Sequence, residues 1–281
     1  MDSSVPLEKS AEKRRRLLKR DTTAIGDLMA GLRLHELWRA LAWENVIQRY
    51  RRAALGVGWI AISFMLMIAV FVLVFGRSSP VRTEFEYMVY LATGLTAFGF
   101  VSGMVSGGAS IFASGGGWIK SSRAPLSVLI YTHITGAFFE MFINALVLVP
   151  LIMMQGVPSV EHLLMVVVAL AIFALNGVWC CMLLGSLGAW SSDFQNLLPA
   201  IMRIAFFATP VFWDYEVVQG RRLLLAHYNP FTHFIEVFRL PLMGESPSLT
   251  NWTVVILVTI GGWIAGLIAF SMSKRRLAAW V

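Results

Sequence analysis

Charged residues and cysteines are both scarce in this chain of 281 residues. Charged residues make up 14% of it and apolar residues 57%, whereas a typical soluble domain is about 25% charged. This composition excludes a soluble globular protein, and the high apolar content also excludes a disordered one. The only two cysteines, Cys180 and Cys181, are neighbours in an apolar run. They argue against both a disulfide framework and a zinc site.

Motifs for nucleotide binding and catalysis are missing as well. The sequence contains no G-x-x-x-x-G-K-[ST] phosphate loop and no Gly-Lys pair. No group of histidines, cysteines and carboxylates has the spacing of metal ligands, and no hydrolase elbow is present. We therefore expect no catalytic site, no metal site and no cofactor in this chain. Transport, with the energy supplied by another chain, fits the sequence better than an enzyme does.

Long apolar runs dominate the remaining sequence, and the mean hydropathy is +0.70. The length leaves room for about six spans of roughly 20 residues. The predicted spans are Val57–Phe75, Tyr87–Ile111, Leu126–Met154, Leu163–Trp190, Leu197–Trp213 and Trp252–Met272. In the second span Gly99, Gly103 and Gly107 form two G-x-x-x-G steps, which allow another helix to approach closely. The sequence thus predicts an all-α integral membrane protein.

Three regions follow from this pattern: a charged tail at 1–30, an amphipathic helix at 31–56 and a six-helix membrane domain at 57–281. The tail has no apolar segment of the kind found in cleavable signal peptides. In the amphipathic helix, apolar residues recur at helical spacing between charged ones, as in Leu34, Leu37, Trp38 and Leu41. We expect this helix to lie in the membrane interface.

Basic residues are distributed unevenly, and this predicts the orientation. With the N-terminus inside, seventeen Lys and Arg residues lie in inner segments and five in outer ones. This count places both termini in the cytoplasm. Twelve basic and seven acidic residues precede residue 57, which indicates topology more than nucleic-acid binding.

The segment between spans five and six is too short for another pair of spans. Apolar residues from Phe231 to Leu242 follow one helical stripe, and Pro241 is expected to end that helix. We interpret the segment as two short re-entrant helices in the outer interface, where backbone must be buried in protein or line a cavity.

Aromatic side chains are the first group of candidate functional residues. Phe64, Phe71 and Phe75 share one face of span one, and Phe206, Phe207, Phe212, Trp213 and Tyr215 concentrate at the outer end of span five. Flat aromatic rings can stack on apolar faces of a substrate. The plainer interpretation is helix packing, or for Trp213 and Tyr215 the aromatic belt of the membrane interface.

Span three carries a second group, His133, Glu140 and Asn144, on one helical face. Ionisable groups inside a span are costly and suggest function, such as a proton relay. We favour a polar seam between helices, with Glu140 near Arg203, because the other spans supply few relay partners.

Several segments, in order, resemble permeases of the ABC-2 transporter type. They are Arg49-Tyr50-Arg51-Arg52 followed by Leu55-Gly56 and Trp59, then 119–126, 175–179, Asp193 with Leu198-Pro199, 206–213 and 229–239. The resemblance runs from about Leu37 to the C-terminus. Within the family, the chain looks most like the permease of O-antigen polysaccharide exporters, with capsule and teichoic-acid exporters as close relatives. Val57 stands where the family usually has proline, and residues 1–30 match no part of the family pattern.

The resemblance implies a homodimer that binds two copies of an ABC ATPase, which would carry ATP and Mg. A lipid-linked polysaccharide would cross a bacterial inner membrane between the two copies, through a channel lined by spans one and five. The implied ATPase contacts are Arg49, Tyr50, Arg51, Arg52, Trp118, Ile119, Lys120 and Arg123. The implied outer gate is Tyr215, Asn229, Pro230, Phe231 and Phe234. For the arginines, binding to anionic lipid is the plainer interpretation, and Lys120 and Arg123 could serve topology alone.

Three alternatives remain open. The first is export of a drug or a lipid by the same type of permease, which an apolar lateral pocket would favour. The second is an integral membrane enzyme, which needs clustered histidines or carboxylates, whereas the five histidines are scattered along the chain. The third is an ion-driven secondary transporter, which would show inverted repeats that the sequence lacks.

Overall fold

The computed structural model describes residues 23–78, 81–122, 124–214 and 219–281, apart from the side chains of Ser78 and Ala278. Helices are the regular structure in these ranges, and no strand occurs in them. In chain order the helices are α1 (Ala24–Leu32), α2 (His35–Tyr50), α3 (Gly58–Phe75), α4 (Glu84–Ser114), α5 (Gly116–Ser121), α6 (Ser127–Gln155), α7 (Val160–Trp190), α8 (Ser192–Ala208), α9 (Arg221–Tyr228), α10 (Pro230–Leu242), α11 (Leu249–Ser273) and α12 (Leu277–Trp280). A short 3-10 turn, Gly76–Ser78, follows α3.

Five helices are long and apolar enough to cross a membrane, namely α3, α4, α6, α7 and α11. The remaining expected span, Leu197–Trp213, corresponds to α8, which has 17 residues and ends at Ala208. Pro210 explains the early end, because a proline disfavours helical backbone at the preceding residue. Thr209 is accordingly extended, with φ −102° and ψ 140°. Whether α8 crosses the membrane as a sixth span stays a prediction.

The two ends of the bundle are recognisable from their contacts. At one end, α1 contacts the start of α6 and the last turn of α11 through Asp27, Ser127 and Lys274. We call this the N-terminal end. At the other, the far end, Arg82 before α4 pairs with Asp214 after α8. From α3 onwards, successive long helices, α8 included, run alternately towards the far end and towards the N-terminal end. This is the order of spans expected from the sequence.

Helix α4 is the centre of the fold, and most of its apolar window is buried by its neighbours. Its glycines allow this, although not all of those expected. A Cβ atom at Gly94 would meet the Arg239 guanidinium, and one at Gly108 would meet Cys181. Gly99 and Gly103, by contrast, face open space, so only Gly107 of the G-x-x-x-G series meets another helix, at the His133 ring. Close packing of α4 therefore depends on Gly94, Gly107 and Gly108, and of these only Gly107 belongs to the G-x-x-x-G series expected to allow it.

The amphipathic helix lies along the bundle rather than apart from it. Helix α2 packs on α6, with Trp38 beside Tyr131 (ring centroids 5.9 Å apart) and Trp43 edge-on to Phe139 (5.5 Å). Ala42 and Val46 are buried there, whereas Arg39, Arg51 and their neighbours stay exposed. Helix α1 begins within the segment that we assigned to the charged tail; residues 1–22 lie outside the described part of the chain.

Candidate functional site

Most of the aromatic residues singled out in the sequence meet in one cluster, where α3 approaches the end of α8. Phe212 is central, with its ring centroid 5.3 Å from Phe71, 5.7 Å from Phe75 and 5.5 Å from Phe206. Phe207 contacts Phe206 and Phe212 at 5.4 and 5.9 Å. We call Phe71, Phe75, Phe206, Phe207 and Phe212 the aromatic cluster.

Exposure separates the members of the aromatic cluster. Phe207 is 67% exposed and Phe75 is 40% exposed, so both present ring surface outside the protomer. Phe71, Phe206 and Phe212 are half-buried beneath them. Exposure alone does not set them apart, because Phe142 on α6 is 66% exposed as well.

The two other aromatic candidates have different surroundings. Phe64 is buried with Ile68 and Val72 and makes no ring contact within the described residues, so it packs as core. The Trp213 indole N–H donates to the carbonyl of Phe207 at 3.2 Å, and this ties the turn after α8 to the last turn of that helix.

A buried polar cluster at the far end holds this turn in place. Arg239 on α10 is fully buried and donates to the carboxylate of Glu236 at 3.0 Å and to the carbonyls of Pro210 and Val211 at 2.9 and 3.2 Å. Its guanidinium lies 3.7 Å from the centre of the Tyr90 ring. One buried arginine therefore bonds directly to the turn that follows α8.

Two tyrosines of α4 and a second ion pair complete the polar cluster. The Tyr87 hydroxyl donates to the carbonyl of Phe212 at 2.6 Å, and the Tyr90 hydroxyl lies 3.2 Å from the carbonyl of Trp213. Arg82 pairs with Asp214 at 2.7 Å, and both side chains are at least nine-tenths buried. The turn that carries Phe212 is thus held by hydrogen bonds to several of its backbone carbonyls and by the ion pair of the Asp214 side chain at its end.

Sequence reasoning did not anticipate this polar cluster. Arg82 and Arg239 were counted only as outer loop charges. The available signal was the pair Glu236 and Arg239, three residues apart on an otherwise apolar helix, because ionisable groups in such a setting are costly unless paired.

A third buried ion pair, at the N-terminal end, was also missed. Asp27 is fully buried, accepts the backbone N–H of Ser127 at 2.9 Å and pairs with the Lys274 ammonium at 3.0 Å. A carboxylate at the start of α6 also stabilises the positive end of the helix dipole. The Ser127 hydroxyl donates back to the Asp27 carbonyl at 2.6 Å, so α1, α6 and α11 are joined at one point.

The residues proposed to contact an ATPase lie at two levels: 118–120 follow α4 at the N-terminal end, whereas Arg49 at the end of α2 lies beside Glu140, near the middle of α6. Arg51, Arg52 and Lys120 are exposed, and Ile119 is buried. The indole N–H of Trp118 is buried and has no hydrogen-bond partner within the described ranges. Tyr50 is half-buried. Arg123 lies outside the described residues. Contact between these residues and an ATPase stays a prediction.

Glu140 pairs with Arg49, not with Arg203 as expected from the sequence. Arg203 lies on α8, whose outward face it occupies, whereas α2 runs directly along α6. His133 contacts the carbonyl of Gly103 at 3.2 Å. The Asn144 side-chain oxygen is buried without a hydrogen-bond partner within the described residues. Glu140 and His133 thus have separate partners, and Asn144 has none within the described residues, an arrangement that favours a polar seam over a relay.

We expect Glu140→Gln to have little effect. The Arg49 and Glu140 side chains lie at the surface of the protomer, 61% and 36% exposed, and a glutamine keeps an oxygen that accepts from Arg49, so the change should be about 1 kcal/mol or less. Thermal unfolding of the purified variant should change by no more than that, and export should be retained. Loss of export in a folded Glu140→Gln variant would instead support a proton relay.

The residues proposed as an outer gate lie around α10. The Asn229 side-chain amide donates to the Thr209 hydroxyl at 2.8 Å, and its oxygen caps α10 at Phe231. Pro230 is exposed, Phe231 is half-buried and Phe234 is buried against Phe173. Tyr215 lies outside the described residues. Helix α10 ends at Leu242, one residue beyond Pro241, which is where the sequence predicted its end.

The comparison with known families identifies the chain. The model of the family described as ABC-2 type transporter matches residues 36–243. The chain belongs to the ABC-2 type transporter family. The match begins inside α2 and ends just after α10, so it covers the aromatic cluster and the polar cluster. No curated protein matches the sequence.

As a member of this family, the chain is the membrane component of a transporter. Membership also implies an ABC ATPase as its partner. No group of three or more metal-ligating side chains occurs within the described part of the chain. Cys180 and Cys181 are free thiols buried in α7.

The ABC-2 subunit also has two apolar cavities. One, of about 390 Å³, lies among α4, α7, α8, α10 and α11 beside Met104 and Phe234. The other, of about 600 Å³, lies among α4, α6, α7 and α10 beside Phe138 and Phe238. Both are lined mainly by hydrocarbon and aromatic side chains.

Proposed function

We propose that this chain is the permease subunit of an ABC transporter that exports a lipid-linked polysaccharide, closest in type to O-antigen, across a bacterial inner membrane. ATP hydrolysis takes place on a separate ABC ATPase, which binds Mg and ATP. Two copies of the chain and two of the ATPase form the transporter, with both termini in the cytoplasm. The observation that carries this proposal is the outward face of α8.

The exposed face of helix α8 combines polar and apolar side chains, with a polar stripe beside the exposed Leu197 and Ile204. Asp193, Asn196 and Arg203 are exposed at positions that share one helical face, and Phe207 continues that face. Arg203 has no ion-pair partner within the described residues. A guanidinium and an amide facing lipid tails would be costly. The stripe therefore favours a water-filled path between two copies of the chain.

The aromatic cluster suits a sugar polymer in such a path. The stripe ends at Phe207, and Phe75 is exposed beside it. Sugar rings have apolar C–H faces that stack on aromatic rings and hydroxyl groups that bond to polar side chains. A path with both kinds of surface is expected for a glycan, whereas an apolar drug needs only the first.

The second candidate is export of a drug or a lipid by the same type of subunit. The two apolar cavities favour it, because ligand pockets for small amphipathic molecules are mostly hydrophobic. It leaves the polar stripe of α8 without a role. Capsule or teichoic-acid polymers fit the same path as O-antigen, and the geometry does not separate these polymers from one another.

The substrate class can be tested with the transporter complex isolated from cells with its ATPase and reconstituted in lipid vesicles. We expect a polyprenyl-linked oligosaccharide to stimulate ATP hydrolysis, and hydrophobic drugs or phospholipids to have little effect. Stimulation by the drugs alone would replace the first candidate by the second.

The aromatic cluster gives a sharper test through Phe207→Ala. Phe207 is 67% exposed and its ring is proposed to contact substrate, so its loss should slow glycan transport about fivefold, the equivalent of an aromatic contact of about 1 kcal/mol. Transport is measured in vesicles that contain equal amounts of folded complex.

Phe142→Ala is the matched control for this variant. Phe142 lies on α6, is 66% exposed and has no ring contact within the described residues. We expect it to transport the glycan at the unmodified rate, since its ring borders the apolar cavity among α4, α6, α7 and α10 and lies outside the proposed glycan path. Equal losses in the two variants would contradict a substrate role for Phe207.

A further inference from the structure

A third cavity, different in chemistry from the other two, opens at the far end between α10 and the start of α11. Its volume is about 280 Å³. Hydroxyl, amide, imidazole and carboxylate groups converge on it, together with one guanidinium. The lining includes Arg82, Thr232, His233, Glu236, Glu245 and Asn251. No member of the aromatic cluster borders it.

One wall of this polar cavity is held rigid by hydrogen bonds. Nδ1 of His233 lies 2.8 Å from the Asn251 side-chain oxygen, and Nε2 lies 2.9 Å from the backbone carbonyl of His227. Asn251 is in turn held by the first turn of α11, where its N–H donates to the Ser248 hydroxyl at 3.2 Å. These polar groups therefore keep a fixed geometry.

The same wall contains a hydroxyl group that the protein does not satisfy. Thr232 is 2% exposed, and its hydroxyl has no hydrogen-bond partner within the described residues. A buried polar group without a partner destabilises the fold, and such groups are rare. A molecule in the cavity that both donates and accepts hydrogen bonds would satisfy it.

The charges around the cavity restrict the ligand. Arg82 is the one guanidinium in the lining, and it already pairs with Asp214. Glu236 pairs with Arg239, so the carboxylate of Glu245 leaves the surroundings with a negative balance. This balance disfavours phosphate and other anions. A divalent cation is also disfavoured, because no group of three metal-ligating side chains occurs within the described ranges. A neutral ligand rich in hydroxyl groups fits best.

The size of the cavity and its aromatic residue set the binding mode. A volume of about 280 Å³ lies just below that of pockets for drug-sized ligands, which begin near about 300 Å³. It therefore suits a single ring. Tyr90 borders the cavity, but the guanidiniums of Arg82 and Arg239 lie over its ring at 4.5 and 3.7 Å. Contacts to hydroxyl groups, rather than ring stacking, would hold the ligand, so we expect weak, millimolar binding.

We propose that this polar cavity is a binding site for one neutral sugar residue. The Glu245 carboxylate would accept hydrogen bonds from the hydroxyl groups of the sugar, and the Thr232 hydroxyl would donate one to them. The His233–Asn251 pair would hold the wall of the cavity in place. The inference rests on the proposed function only for the source of the sugar, which would be the exported polymer. The binding of a free sugar is independent of transport.

Binding is measured on the purified chain in lipid nanodiscs, without ATP, by saturation-transfer NMR. The probes are methyl glycosides of neutral hexoses and of N-acetylglucosamine, at about 10 mM, well above the Kd of a millimolar binder. At least one of them should show transfer. Methyl glucuronide and inorganic phosphate are the charged probes, and neither should displace it. Absence of transfer from every neutral glycoside, or displacement by phosphate, would overturn the proposal.

Two variants locate the signal. Glu245→Gln and Thr232→Val should each weaken binding roughly tenfold, the equivalent of one hydrogen bond to a charged or buried group. Glu245 is exposed, and the Thr232 hydroxyl has no protein partner within the described residues, so both variants should fold.

Matched controls lie on neighbouring helices. Glu161→Gln is an exposed change at the start of α7, and Thr253→Val is an exposed change on α11. Neither residue borders the cavity, so both variants should bind as the unmodified chain does. If the controls lose binding as much as the cavity variants, the site lies elsewhere. Glycoside binding without any glycan transport would leave this inference standing and refute the proposed function.

Discussion

Arg239→Met is expected to destabilise the protein by about 3–5 kcal/mol, because it removes the guanidinium from a buried carboxylate. Arg239 is fully buried and bonds to Glu236 and to the carbonyls of Pro210 and Val211. Loss of these bonds also releases the turn that carries Phe212. Thermal unfolding in detergent, followed by size-exclusion chromatography, measures the change.

Two further variants make the result specific. Arg222→Met changes an exposed arginine on α9 and should alter stability by no more than about 0.5 kcal/mol. In the double variant Arg239→Met with Glu236→Gln, the buried charge is gone, so part of the lost stability should return. A single variant as stable as the unmodified protein would show that the polar cluster does not hold the turn.

Asp27→Ala is expected to have a comparable effect, about 3–5 kcal/mol, at the opposite end. Its carboxylate is fully buried, accepts the N–H groups of Leu126 and Ser127 at 3.3 and 2.9 Å, and pairs with the Lys274 ammonium. The variant removes a carboxylate from a buried ammonium and an acceptor from the start of α6. The same unfolding assay applies.

Glu36→Ala is the matched control for Asp27→Ala. Glu36 is also an acidic residue near the N-terminus, but it is exposed in the first turn of α2. Its loss should cost less than about 1 kcal/mol. The double variant Asp27→Ala with Lys274→Met should recover part of the stability. Equal losses of stability in Glu36→Ala and Asp27→Ala would contradict the claim that Asp27 stabilises the junction of α1, α6 and α11.

Apolar content and periodicity were sufficient to predict the long helices. Helices α3, α4, α6, α7 and α11 begin and end within three residues of the expected spans, since a run of apolar residues can satisfy its backbone only as a helix in a membrane. Span five was drawn five residues too long at its C-terminal end. Its apolar run continues through Phe212, and only the local effect of Pro210 ends the helix.

Tertiary partners could not be predicted in the same way. The sequence placed Glu140 on a polar face of span three, but its pairing with Arg49 depends on how α2 lies along α6. The same holds for Asp27 with Lys274 and for Arg82 with Asp214, whose partners are distant in sequence. Hydrophobic periodicity reports which face of a helix is buried, not which helix covers it.

The aromatic candidates show how far the site itself was predictable. Spacing brought Phe71 and Phe75 onto one face, and the concentration of rings after Phe206 indicated the outer end of span five. The structure brings these two groups into contact. Phe64, on the same predicted face, is buried as core instead, because it lies about two turns deeper, where α3 packs against its neighbours.

The central claim is that this subunit forms the path for a glycan driven by ATP hydrolysis on a partner. The most direct measurement uses vesicles that contain the complex with its ATPase, loaded on the outside with a polyprenyl-linked oligosaccharide. Movement of the glycan into the lumen is followed by its protection from an added glycosidase. We predict protection that requires ATP and is slowed by Phe207→Ala but not by Phe142→Ala. Protection that is absent with ATP, or equal without it, would contradict the account.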